Sequence, residues 1–106
     1  MARVSILELI ATPRVWDGRL VRVQGFCHIE FEETALYLHR EDSDFRNSLN
    51  AVWLDIHHGK YGEFNERPVI VEGRFTLGTD DHVGNWRGII RDVSKVVIVP
   101  SRSETE

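Results

Sequence analysis

From Val21 the chain alternates strictly, and few patterns constrain a fold more. One set of alternate positions reads Val21, Val23, Gly25, Cys27, Ile29 and Phe31, the other Arg22, Gln24, Phe26, His28, Glu30 and Glu32. Successive side chains of a strand point to opposite faces, so this run predicts a long strand with the first set in a core and the second outside. Ala35 to Arg40 continues the pattern, with Leu36 and Leu38 inward and Tyr37 and His39 outward. A turn at Glu33-Thr34 pairs Glu32 with Ala35, Glu30 with Tyr37 and His28 with His39. Glu-Thr is poor chemistry for a two-residue turn that needs positive φ, so a bulge or longer loop would shift this pairing. Ala51 to Ile56 buries Val52, Leu54 and Ile56 and exposes Trp53 and Asp55. Pro68 opens a fourth strand with Val69, Val71, Gly73, Phe75 and Leu77 on one face. GTDDHVGN reads as a polar hairpin tip, Trp86 to Asp92 as a fifth run, and Val96 to Val99 as an apolar stretch that Pro100 stops. Twenty residues are Val or Ile and twelve are Ala or Leu, a balance that favours strands.

A short helix is signalled near the start. Ser5 caps the first amides, Glu8 completes a capping box, and Ile6, Leu9 and Ile10 share a face before Pro13 ends the run. Asp17-Gly18 then turns the chain. Glu41 to Asn50 is a polar connection in which Phe45 and Leu49 are spaced as one face of a helical turn, and His57 to Glu66 is a loop with two glycines and two aromatic residues, Tyr61 and Phe64. Residues 1–100 read as one domain and 101–106 as a frayed charged tail. Long strands that bend at Gly25, Gly73 and Gly88 fit a small closed barrel better than a sandwich.

The pieces Leu20-Val21-Arg22-Val23-Gln24-Gly25 and Val69-Ile70-Val71-Glu72-Gly73-Arg74-Phe75 carry a V-x-V-x-G pattern. With the opening helix, the Trp16-Asp17-Gly18 turn and the segment from His82-Val83-Gly84 to Gly88-Ile89-Ile90, residues 5–99 resemble small stand-alone bacterial OB-fold proteins of uncharacterised function. The resemblance implies a mainly β protein, a five-stranded OB-like Greek-key barrel with a short N-terminal helix. It raises the expectation of a binding role without identifying a ligand. OB-folds usually place a helix between the third and fourth strands; His57 to Arg67 leaves little room for one, and the helix at Ser5 closes the barrel end instead.

The chemistry-bearing residues are few. Cys27 is the single cysteine and sits in the inward set, as a small core residue. The chain has no G-x-S-x-G, no glycine-rich phosphate loop and no H-E-x-x-H, so the expectation is a protein that is not an enzyme and carries no cofactor. The pairing above makes His28 and His39 weak candidates for a metal, with neither C-x-x-C nor His-x-x-x-His spacing to support them. His57-His58 and Asp80-Asp81-His82 are weaker still. No apolar run reaches the ~20 residues of a membrane-spanning helix, and Met1 to Glu8 lacks the order of a secretory signal. Together these predict a soluble, cytoplasmic chain.

The outward row carries the functional expectation. Phe26, Tyr37 and Trp53 fall on the non-core face of the first three predicted strands, with Arg22, Arg40 and Arg74 as nearby charge. Exposed aromatic side chains form stacking platforms or anchors for a partner, unless neighbouring connections cover them: Glu41 to Asn50 over Trp53, or the loop carrying Phe64 over Tyr37. The reading is a non-enzymatic binding module for a protein or small ligand. The alternative is a single-stranded nucleic-acid binder. A net charge of −4, with Glu30, Glu32, Glu33, Glu41, Asp42 and Asp44 crowding the same hairpin and its exit, disfavours nucleic acid, whose binding draws on Lys and Arg at phosphates.

Overall fold

The computed structural model describes residues 1–31, 33–77 and 87–100. They form a mainly β protein with six strands, β1 (Ala2–Val4), β2 (Leu20–Ile29), β3 (Thr34–Tyr37), β4 (Ala51–Leu54), β5 (Arg67–Leu77) and β6 (Gly88–Ile98), and three short helices, α1 (Ile6–Ala11), α2 (Pro13–Trp16) and α3 (Arg40–Asp44). The strands follow the order β1-β2-β3-β4-β6-β5, and β5 pairs back onto β2. That last pairing closes a five-stranded barrel from β2 to β6, with β1 added in parallel beside Val21 to Val23. Every pairing within the barrel is antiparallel except β4 with β6. The architecture is an OB-like barrel with one extra strand.

The alternating positions build its interior. Val21, Val23, Cys27 and Ile29 from β2, Val69, Val71 and Phe75 from β5, and Leu36, Val52, Leu54 and Ile90 from the other strands form one buried cluster. Phe31, placed in the inward set by the alternation, is instead 78% exposed, because β2 ends at Ile29 and the hairpin loop carries the side chain out of the barrel. Gly25 permits the tightest approach in the interior: a Cβ there would stand 2.7 Å from Ile6 Cδ1, Leu36 Cγ and the Tyr37 carbonyl oxygen. Ile6, the first residue of α1, therefore packs directly on β2 at Gly25.

The predicted helix is present. Ser5 Oγ accepts from the Glu8 amide at 3.1 Å and Glu8 Oε1 from the Ser5 amide at 3.0 Å, while Ile6 and Leu9 are fully buried in the barrel cluster. Pro13 ends this helix but also starts α2, since the first turn of a helix does not need its missing amide hydrogen. The His57–Arg67 connection holds one 3-10 turn, Gly62–Phe64.

Two expectations are corrected here. The β2–β3 hairpin pairs Phe26 with Tyr37 and His28 with Ala35, not Glu30 with Tyr37 and His28 with His39. The hairpin is closed by the Glu30 amide donating to the Glu33 carbonyl at 3.0 Å and by Thr34 Oγ1 donating to the Glu30 carbonyl at 2.8 Å. The offset is an even number of residues, so each side chain keeps its face while each changes its neighbour. The last two predicted runs are a single strand, β6, interrupted by a bulge: the register against β5 shifts between Glu72 and Arg74, Asp92 takes a φ of 49°, and Gly73 leaves room for the Arg91 carbonyl. The predicted hairpin tip, Asp80-Asp81-His82 with it, and the tail 101–106 lie outside the described residues.

Candidate ligand-binding groove

The outer aromatic row exists, but not as an open platform. Phe26 and Tyr37 face each other across β2 and β3, and Ala35 faces Trp53 across β3 and β4. With Ala51 and Ile89 they form a second small core on the outside of the barrel, in which Phe26 is 5% and Tyr37 0% exposed and Trp53 is half-buried. The expectation of exposed Phe26 and Tyr37 is thereby corrected. Large aromatic rings on adjacent strands bury one another once any chain segment lies beside them, and here the hairpin loop and α3 do so. Phe64 is not involved, since it packs against the barrel interior.

A charged network borders this second core. The Tyr37 hydroxyl donates to Glu33 Oε2 at 3.0 Å, and the Arg46 guanidinium reaches Glu30 at 2.8 Å and Glu33 at 3.4 Å. His28 is buried beneath the network, with Nε2 2.6 Å from Glu30 Oε1, Nδ1 2.7 Å from Glu66 Oε2, and its ring edge-on to Tyr37. Burial, then the hydrogen bond to Glu33, raises the pKa of the Tyr37 phenol. The pairing of His28 with His39 as metal ligands is not formed: His28 spends both nitrogens on carboxylates, while His39 has left the strand to cap α3. Among the described residues no group of three or more His, Cys, Asp or Glu side chains is arranged to hold a metal ion.

Cys27 is fully buried, as its inward position predicts, and burial, with the nearby Glu66 charge second, pushes its thiol pKa up to about 12. A thiol held protonated in this way is a poor nucleophile.

The concave surface lies beside the row. Gln24, Gly25, Phe26, Leu38, His39, Arg40 and Pro68 line a groove of about 440 Å³. It opens because β3 ends at Tyr37: Leu38 still donates its amide to the Asn50 carbonyl at 2.8 Å, after which the chain turns away from β2 into α3. Asp42 fixes that turn, accepting from the His39 amide at 3.2 Å and from the Asn47 and Asn50 side-chain amides at 3.2 and 3.0 Å. The turn carries Arg40 back over Phe26, its guanidinium carbon 4.8 Å from the ring centroid. The groove thus has an apolar floor and a cation stacked on its aromatic wall.

Of the six predicted binding residues, Phe26 and Arg40 meet in this groove. Tyr37 and Trp53 lie behind Phe26 in the second core. Arg22 is on the same outer face but is held by Glu72, Nε to Oε2 at 2.7 Å. Arg74 sits at the level of Leu20, donates to the Gly18 carbonyl, faces Asp92 and takes no part in the groove. Gln24, Leu38, His39 and Pro68 were not anticipated as groove residues. Gln24 is legible as an outward position and Pro68 as a strand opener, while Leu38 packs half-buried against the interior cluster, as its inward position predicts, and also reaches the groove edge.

No protein-family model matches the chain, and no curated protein does. Among the described residues no helix is long and apolar enough to cross a membrane.

Proposed function

We propose that this protein is a non-enzymatic OB-fold binding module that takes a protein or small ligand in the groove between Phe26 and Arg40. The observation that carries the reading is the Arg40 guanidinium: it rests on Phe26 at the mouth of the groove and forms no ion pair among the described residues, in a chain with net charge −4. An arginine supplies five donors in a fixed plane, and stacking on a ring fixes that plane without using the donors. As part of this reading we propose a cytoplasmic location, where a lone thiol stays reduced. The aromatic row serves as the rigid wall behind the groove, not as the contact surface itself.

The test is capture from the native cell extract by the immobilised protein and by Arg40→Glu. Arg40 is exposed, so the variant should melt within a few degrees of the parent and lose its specific partner. A control just past β2, Phe31→Ser, should keep it. Capture that survives Arg40→Glu would show that the groove is not the working surface.

A further inference from the structure

The groove does not end at Gln24. A second depression of about 300 Å³ adjoins it along the outer face of β2, lined by Arg3, Val4, Arg22, Gln24 and Ile70 and sharing Gln24 with the first. Strand register explains the continuity. Arg22, Gln24 and Phe26 occupy alternate positions on the outer face of β2; Ile70 and Pro68 lie opposite Gln24 and Phe26 on β5, and Arg3 lies beside Arg22 on β1. The middle of the trough is therefore apolar on the β5 side, with one amide at Gln24.

Its ends are cationic. Arg22 is neutralised by Glu72, but Arg3 and Arg40 form no ion pair among the described residues and both are exposed. Arg3 stands level with Arg22 and Arg40 rests on Phe26, four residues further along β2, so the two free guanidinium groups flank a span of about 13 Å at the usual strand rise. An extended peptide rises by the same amount per residue and shows alternate side chains on one face, so side chains four positions apart reach both ends and the one midway lies over Ile70 and Pro68.

Resting on the reading of the groove as the binding surface, we infer that the ligand is an extended acidic segment of a partner protein, with two carboxylates four positions apart and an apolar side chain midway between them. Charge complementarity selects this occupant: an acidic chain leaves these two cations unmatched and separates them by an apolar floor. A nucleic-acid strand carries a phosphate at every nucleotide, and the phosphate midway between the two arginines would lie over Ile70 and Pro68 with no cation to meet it.

The experiment is a fluorescence anisotropy titration of the full chain with a short labelled peptide carrying two glutamates four positions apart and an isoleucine midway. Arg3→Ala and Arg40→Ala should each weaken binding by about threefold to fivefold, as expected for partly exposed ion pairs, and the double variant by about tenfold or more, with melting temperatures unchanged. Replacing both glutamates by glutamine, or moving them to two positions apart, should weaken it similarly, and added salt should reduce it. Equal binding of the glutamine peptide, indifference to Arg3→Ala, or tighter binding of a single-stranded oligonucleotide would overturn the inference. So would an absence of peptide binding while capture from extract still depends on Arg40; in that case the groove keeps its role and only the ligand class falls.

Discussion

Among the described residues, the fold raises the proton affinity of Cys27 and of Tyr37, and both sit where solvent does not reach. A thiol whose pKa rises from 9.0 to about 12 on folding is protonated in the native state while the unfolded chain already ionises. The stability linked to it is full below about pH 9 and is lost as the pH climbs toward 12. Tyr37 adds to the loss in the same direction, above about pH 10, because its phenol must stay protonated to donate to Glu33. Urea unfolding at pH 7, 9 and 10.5 should therefore show a steady alkaline fall, partly removed by Cys27→Ala once the lower starting stability of that variant is taken into account. The thiol should also resist a disulfide reagent at pH 8 until urea opens the barrel. Rapid labelling of the folded protein would contradict the burial on which both expectations rest.

Elements differ in how plainly the sequence announced them. β2 and β5 were legible because one face of each is buried over many residues, and a period of two is unmistakable at that length. β1 was not, since three residues contain no period. β6 was split in two by its bulge, and nothing in Asp92-Val93-Ser94 alone says that Gly73 makes room for it on the opposite strand. The hairpin register was missed because Glu30 to Glu33 lacks the glycine or asparagine that marks a tight turn, and that shift removed the contact between His28 and His39. The groove was half legible: Phe26 and Arg40 were singled out, but the chain reversal that brings them together depends on Asp42 gathering three amides, and no local pattern reports it. The helix at Ser5 was clear from its capping box, and its role can be checked. Ser5→Ala should cost about 1 kcal/mol, whereas Leu9→Ala, which empties a fully buried site in the barrel cluster, should cost about 2–5 kcal/mol. Equal effects in chemical denaturation would mean that α1 is a surface ornament and not the closure of the barrel end.

For the whole molecule, the distribution of charge matters more than its sum. Glu30, Glu33 and Glu66 gather around the hairpin end of the outer face, while Arg3 and Arg40 remain unmatched along the trough. A nucleic-acid strand laid across the aromatic row would meet that acidic end, so oligonucleotides should bind no better than about 10⁻⁶ M at physiological salt. Sub-micromolar affinity with a steep salt dependence would replace the present reading. The pairing of β2 has a consequence of another kind. Residues 20–27 are matched by residues 67–74, and between the two the chain must make the whole of β3, α3 and β4. A chain emerging from the ribosome thus carries its longest early strand with one edge waiting until the chain as far as Arg67 and beyond has been synthesised. The barrel cannot close before then, and its birth is the period in which it most resembles a template for its neighbours.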